Sequence, residues 1–138
     1  MKNLKKVGPI YALCMMLLIM PLSSFASGKI DKTTEKAREL ASTCAPDDWQ
    51  SYAKAAEMCI TKKVNLTEAK GWFEKSLSIN ESALGHEVAG DYYILSKLYS
   101  EAVTHYVKSM KITKEKSNTA DLSDLQAKIE NAVIQSKK

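Results

Sequence analysis

Apolar residues recur at steps of three and four along six stretches of the chain, with charged and polar residues between them. This spacing places the apolar side chains on one side of an α-helix, so each stretch is predicted to be helical. Strict alternation of apolar and polar residues, the pattern of a half-buried strand, occurs nowhere, and neither does a glycine-rich loop. We therefore expect an all-α fold, with helices at about residues 30–45, 49–62, 67–79, 83–96, 100–112 and 121–136.

Short polar residues and a proline mark the expected ends of these helices. Pro46 should end the first helix, because the residue before a proline avoids the helical region. Asp47 is predicted to cap the second helix, with Gln50 three residues on completing a capping box. The last helix, which Asp121 would cap, is apolar only on a narrow seam, as expected of a helix that covers the exposed end of a stack. The seam consists of Leu122, Leu125, Ile129 and Val133.

One stretch of the sequence occurs twice. Residues 66–79 reappear as residues 99–112, shifted by 33 positions without a gap, and five of the 14 pairs are identical. A fixed offset of about 20–50 residues is typical of stacked structural repeats. The small and aromatic positions of each copy are predicted to be buried packing residues, namely Ala69 with Phe73 and Ala102 with Tyr106.

Helix, short turn and helix at a period near ~34 residues resembles the tetratricopeptide repeat family. The motif His86-x-x-Ala89-Gly90-x-x-Tyr93 stands where that family has Trp-x-x-Leu-Gly-x-x-Tyr. Ala102-x-x-x-Tyr106 and Ala69-x-x-x-Phe73 match its Ala-x-x-x-Phe element. The chain departs from the family at three places: Glu57 replaces a small residue, and Glu81 and Lys114 replace the proline that commonly closes a repeat.

The resemblance implies antiparallel helix-turn-helix repeats in a short right-handed α-solenoid. The two repeats would span about residues 50–82 and 83–116, within a repeat region at 48–116. Two repeats bury little surface, since about three are normally needed for a stable stack. An N-terminal helix within 27–47 and a C-terminal capping helix within 117–138 are expected to supply the missing layers. A generic helical bundle is the alternative.

The first 26 residues have the three parts of a secretory signal peptide. Three lysines in the first six positions precede an apolar run that extends to Leu22, and small residues allow cleavage after Ala26. A retained membrane anchor is the alternative, but Pro21 interrupts the run, which is shorter than the ~20 residues that span a bilayer comfortably. We expect an exported protein, periplasmic in a bacterial envelope or secreted, with no stable membrane span after this segment is removed.

Loss of that segment changes the charge of the chain. The full sequence has 20 basic and 16 acidic residues, a net charge of +4, and removal of the three leading lysines leaves 17 against 16. The remaining charges of both signs are spread along the helices, whereas phosphate binding needs a concentrated basic face. Nucleic acid is therefore not an expected partner.

Two cysteines, Cys44 and Cys59, follow the signal segment. In an exported protein a disulfide is the first expectation. The predicted helices separate the two by roughly 15 Å along antiparallel axes, whereas a bridge needs Cα atoms within about 7 Å. We therefore expect two buried, unpaired thiols.

No arrangement of residues indicates catalysis, a cofactor or a metal. His86 and His105 are 19 positions apart, without the three- or four-residue spacing that puts two ligands on one helix face. No nucleophile is accompanied by a recognisable base and orienting group. Asp47, Asp48 and Asp121 are better explained as helix caps than as catalytic acids. We expect a non-enzymatic protein without a cofactor or a metal.

In the family that the chain resembles, the first helix of each repeat lines a concave binding groove. Carried over residue by residue, this surface comprises Lys54, Met58 and Lys62 from the first copy and Glu87, Asp91, Ile94 and Leu95 from the second, with Ser51, Thr61 and Leu84 beside them. Some members grip a C-terminal carboxylate with Lys and Asn. Lys54 fits one of those places, but Met58 and Val88 stand where asparagines are needed, so this clamp is not expected. The mixture of apolar and charged residues suits an extended peptide or a helix of a protein partner.

Two other interpretations remain open. The predicted groove residues would be solvated helix faces if the chain has no partner at this surface. Alternatively, the apolar seam of the last helix would pair two chains, which would make the protein a self-associating structural module and a homodimer.

Overall fold

A computed structural model describes residues 31–138. These residues form six α-helices and no strand, which confirms the predicted all-α class. The predicted signal peptide at residues 1–26 lies outside the described residues, as do residues 27–30 at the start of the predicted N-terminal region. The helices are α1 (Lys32–Thr43), α2 (Trp49–Lys62), α3 (Leu66–Ile79), α4 (Ala83–Leu95), α5 (Tyr99–Lys116) and α6 (Ser123–Ser136).

Side-chain caps explain where the first two helices begin. Asp31 accepts hydrogen bonds from the backbone N–H groups of Thr33 and Thr34 at the start of α1. The predicted cap of α2 was wrong by one residue. Asp48 is the cap, and its carboxylate accepts from both the hydroxyl and the backbone N–H of Ser51, which lowers the pKa of Asp48. Asp47 lies inside a turn that Asp48 N closes on the carbonyl of Ala45, and the helix itself begins at Trp49 as predicted.

Helix α5 is longer than predicted, because it ends at Lys116 and not at Ile112. The last turn contains no glycine or proline. Thr113 Oγ1 donates to the carbonyl of Ser109, and Lys111 lies 4.0 Å from Glu115 one turn away. The apolar pattern therefore stops before the helix does.

Consecutive helices pack against one another throughout the series, and α2 also packs against α4. One group of buried residues joins α1 to α4, and a second joins α5 to α6, with Tyr93 of α4 in contact with both groups. Many of the core residues are alanines, which allow close approach of helix axes. They include Ala37, Ala53, Ala55, Ala56, Ala69, Ala89, Ala102 and Ala132.

Corresponding positions of the duplicated stretch are buried alike. The pairs Ala69 with Ala102, Phe73 with Tyr106 and Ser76 with Ser109 are all buried, so the predicted packing role of the alanine and aromatic positions is confirmed. Ser76 Oγ donates to the carbonyl of Trp49 at 2.8 Å, which ties α3 to the first turn of α2.

Gly90 makes room for the ring of Tyr106 between α4 and α5. A Cβ atom at Gly90 would lie only 2.4 Å from Cε1 and 2.5 Å from Cδ1 of that ring. The ring cannot easily move away, because Tyr106 is buried and its hydroxyl donates to Asp91 Oδ1 at 2.7 Å. Close packing of α4 on α5 thus depends on the missing side chain.

Helices α2 and α4 end with the same backbone conformation. Lys63 and Lys97 adopt left-handed backbone angles, with φ of 55° and 59°. In each turn the lysine N–H bonds to the carbonyl three residues earlier, and the next N–H bonds to the carbonyl five residues earlier. This is the Schellman ending of a helix. Glycine usually occupies the left-handed position. Because lysine stands there instead, the sequence does not predict this motif.

Replacing Lys97 with glycine should stabilise the protein. A side chain in the left-handed region costs about 1 kcal/mol relative to glycine, so Lys97→Gly is expected to raise the free energy of unfolding by about that amount. Urea unfolding measures the change. Lys97→Ala removes the same long side chain but keeps Cβ, and an equal gain in that control would show that the backbone angle is not the cause.

Both cysteines of the described part of the chain are free thiols. Cys59 is buried as expected, but Cys44 is only half-buried, because it follows the last turn of α1 at the surface. Burial raises the pKa of the Cys59 thiol. A protonated, buried thiol is a poor nucleophile.

Candidate partner-binding groove

Two adjoining cavities lie on one face of the protein. The first, of about 390 Å³, opens between α1 and α2, and the second, of about 230 Å³, opens between the ends of α2 and α4. Thr61 lines both cavities, and we call the two cavities together the groove. The first cavity is lined by Thr33, Lys36, Glu57, Met58, Thr61 and Lys62. The second is lined by Ile60, Thr61, Lys63, Asp91, Ile94 and Leu95.

The groove collects five of the seven residues predicted for a binding surface. Met58 and Lys62 line the first cavity, and three predicted residues of α4 line the second. These three are Asp91, Ile94 and Leu95. Lys54 is exposed one turn before Met58 but lines neither cavity, and Glu87 is engaged elsewhere by α6.

Ser51 and Leu84, the flanking residues of the predicted surface, have structural roles. The hydroxyl of Ser51 donates to Asp48 at 2.6 Å and so completes the cap of α2. Leu84 packs against the buried core that joins α1 to α4. Neither side chain lines the groove.

Helix α1 forms one wall of the groove, which sequence reasoning did not anticipate. Thr33 and Lys36 face Met58 and Lys62 across the first cavity. A bidentate ion pair between Arg38 of α1 and Glu68 of α3, with its shortest N–O distance 2.6 Å, helps to hold α1 in place. Apolar spacing predicted this helix, but its sequence does not indicate that Thr33 and Lys36 lie beside Met58 and Lys62.

Lys128 of α6 neutralises the acidic residues of α4. Its Nζ lies 2.7 Å from Glu87 Oε1 and 3.2 Å from the carboxylate of Asp91. Partial burial alone would lower the pKa of Lys128, but the bond to Glu87 and the charges of both acids outweigh it and raise that pKa. The ammonium also lies 5.7 Å from the ring centroid of Tyr106, within cation–π range. Burial and the bond to Asp91 raise the pKa of Tyr106, whose hydroxyl therefore stays protonated.

The charges that stay free around the groove are mainly basic. Among residues 31–138, no ion-pair partner is found for four lysines beside the groove. These are Lys36, Lys54, Lys62 and Lys63. Glu57 is the acid that lines the first cavity, and it too is exposed. The charged groove residues that lack an ion-pair partner within residues 31–138 are thus mainly lysines, with Glu57 among them.

A second cluster joins the two histidines of the chain between α4 and α5. His86 Nδ1 and His105 Nδ1 lie 3.0 Å apart, so one ring donates and the other accepts. His105 also stacks on Tyr93, with ring centroids 5.2 Å apart. The sequence spacing predicts that the two histidines are separate, because residues 19 positions apart do not lie together on one helix face. Packing of α4 on α5 brings them together.

Burial lowers the pKa of both imidazoles. Desolvation is the main cause for His86 and for His105, and the positive charge of Lys108 adds to it, while Glu81 opposes it at His86. His86 Nε2 is buried with no hydrogen-bond partner in the described residues. The neutral pair is therefore favoured in the folded state.

Acidification should destabilise the protein through this pair. The folded-state pKa values lie below the ordinary value of 6.5, so the unfolded chain binds more protons once the pH falls below 6.5. Stability contributed by the neutral pair is present above pH 6.5 and is lost progressively as the pH falls from there towards the folded-state pKa values. NMR titration of the imidazole Cε1 protons checks this. Either histidine titrating above 6.5 would contradict it.

Residues 31–138 contain neither a metal-binding cluster nor a helix that could span a membrane. No group of three or more His, Cys, Asp or Glu side chains is arranged to hold a metal ion in this part of the chain. No helix of the same part has both the length and the apolar character needed to cross a membrane.

Comparison with known proteins found no relative: no protein-family profile, curated protein or solved structure matches the chain.

Proposed function

We propose that the chain is an exported, non-enzymatic interaction module of the tetratricopeptide type, which binds a peptide or helix of a partner protein in the groove. Two repeats, at about residues 50–82 and 83–116, would form a short right-handed α-solenoid. Support comes from the matching helix endings at Lys63 and Lys97 and from the packing of α2 against α4. In such a stack α1 and α6 are the flanking layers.

The two adjoining cavities lined by residues of α1, α2 and α4 are the observation that carries the proposal. Their apolar contacts come from Met58, Ile94 and Leu95, which are half-buried and so remain partly accessible. Apolar floors with polar rims bind extended or helical segments through a few anchoring side chains. Enzymatic action is not proposed, because the histidines are engaged with each other and the acids of α4 with Lys128.

The experiment compares capture of partners by two variants that remove the same number of apolar side chains. Met58→Ser with Leu95→Ser alters the groove, whereas Val107→Ser with Ile134→Ser alters exposed apolar residues of α5 and α6. Cross-linking in the native envelope, followed by mass spectrometry, should recover a protein with the wild type and the control that is lost with the groove variant. Equal recovery by both variants would show that the groove is not the binding site.

Export is proposed from the signal-like segment at residues 1–26. Cell fractionation and the intact mass of the recovered protein test it, because cleavage after Ala26 gives a chain that begins at Ser27. A full-length protein in the cytoplasm would contradict this part of the proposal.

Self-association through α6 is the second candidate. Its predicted contact is largely used within the chain, because Leu125 is buried and Leu122 and Ile129 pack against α5. What favours it is the exposure of Val107 and Ile134, whose side chains are 43% and 50% accessible. Sedimentation analysis distinguishes the candidates, and a monomer at micromolar concentration is the result expected from the groove proposal.

A further inference from the structure

The sequence of α4 contains two acidic residues, and in the fold both form ion pairs with Lys128. Glu87 and Asp91 are the two acids of α4, of which Asp91 lines the groove, and Lys128 lies within 3.2 Å of both carboxylates. The hydroxyl of Tyr106 also donates a hydrogen bond to Asp91. A charged group of a partner therefore meets carboxylates whose charge is already balanced by Lys128.

The lysines of α1 and α2 lack such internal partners in the described residues. Lys36 and Lys62 line the same cavity as Met58 from its two walls, and Lys63 lines the adjoining cavity with Ile94 and Leu95. An acidic side chain bound in either cavity would thus lie beside an ammonium group and beside an apolar contact. These lysines favour a partner with acidic residues and discriminate against a basic partner.

We propose that the groove selects an acidic, amphipathic segment of a protein, in which Asp or Glu residues stand next to large apolar residues. This inference rests on the proposed function, since it names the class of partner for the same groove. The apolar side chains would contact Met58, Ile94 and Leu95, and the carboxylates would pair with Lys36, Lys62 and Lys63. A nucleic acid fits less well, because Glu57 and these apolar residues lie among the lysines.

Selection from a library of random linear peptides on the immobilised protein tests the proposal. Peptides that carry acidic residues beside Leu, Phe or Trp should be enriched. A synthetic peptide of the enriched consensus is then compared with an analogue in which every Asp and Glu is replaced by its amide, and the analogue should bind about tenfold more weakly. Raised salt should weaken binding of the acidic peptide alone, because exposed charge pairs are screened.

A charge-matched pair of variants locates the effect. Lys36→Gln with Lys62→Gln removes two charges from the groove, whereas Lys137→Gln with Lys138→Gln removes two from the exposed C-terminal end. The groove variant should lose about tenfold in affinity for the consensus peptide and the tail variant should lose little.

The outcomes separate this inference from the function on which it rests. Enriched peptides without acids, or an amide analogue that binds equally well, would overturn the acidic preference and leave the groove intact as a binding site. No enrichment at all, or binding that survives Met58→Ser with Leu95→Ser, would overturn both.

Discussion

Gly90→Ala is expected to destabilise the protein by about 2 kcal/mol, although alanine is the better helix former. The new methyl group would overlap the ring of Tyr106, with 2.4 Å to the nearest ring carbon. That ring is buried and is held by its bond to Asp91, so relief requires α4 and α5 to move apart. The free-energy cost of this steric overlap exceeds the gain from the higher helix propensity of alanine. Urea unfolding at neutral pH measures the difference.

Gly71→Ala is the matched control for this prediction. Gly71 lies inside α3, is exposed, and a Cβ built there meets no atom within 4 Å. Only the propensity gain remains, so this substitution should raise the free energy of unfolding by up to about 1 kcal/mol. If the two substitutions changed stability in the same direction, the close packing of Gly90 on Tyr106 would not be the cause.

Lys128→Met is expected to lower the free energy of unfolding by about 2 kcal/mol, because it leaves two partly buried carboxylates unpaired. Glu87 and Asp91 are one helical turn apart on α4, so they also repel each other once the ammonium is gone. Methionine keeps an unbranched apolar side chain of similar length, so the substitution mainly removes the charge.

Two further variants decide whether the ion pairs are responsible. Lys137→Met removes a lysine from the exposed end of α6 and should have little effect. Adding Glu87→Gln and Asp91→Asn to Lys128→Met removes the unpaired charges, and most of the lost stability should return. Without that recovery, the effect of Lys128→Met would have to come from packing.

The helices could be predicted from the sequence because each depends on local patterns. Apolar spacing located all six, and the buried pairs of the duplicated stretch follow from the same spacing. The errors lie where a local pattern is ambiguous. Asp47 and Asp48 are both good caps, and only the turn closed on Ala45 selects the second. The end of α5 is polar, so the apolar pattern could not reveal it.

The groove could be predicted only in part, because its composition depends on which helices meet. Resemblance to the tetratricopeptide family pointed to the faces of α2 and α4, and five of those seven residues do line the groove. That the face binds a partner stays a prediction. The roles of α1 and of Lys128 arise from contacts between residues far apart in the sequence, 41 positions for Lys128 with Glu87, which no local pattern encodes. The pairing of His86 with His105 was missed for the same reason.

The contact of Lys128 with Glu87 and Asp91 also makes α6 a determinant of the charge near the groove. Without this lysine, two acids of α4 would stand uncompensated one turn apart, and Asp91 is among the residues that line the second cavity. If the groove binds an acidic segment as proposed, these carboxylates would repel it. A substitution in α6 would then weaken binding of the partner without changing any residue that lines the groove.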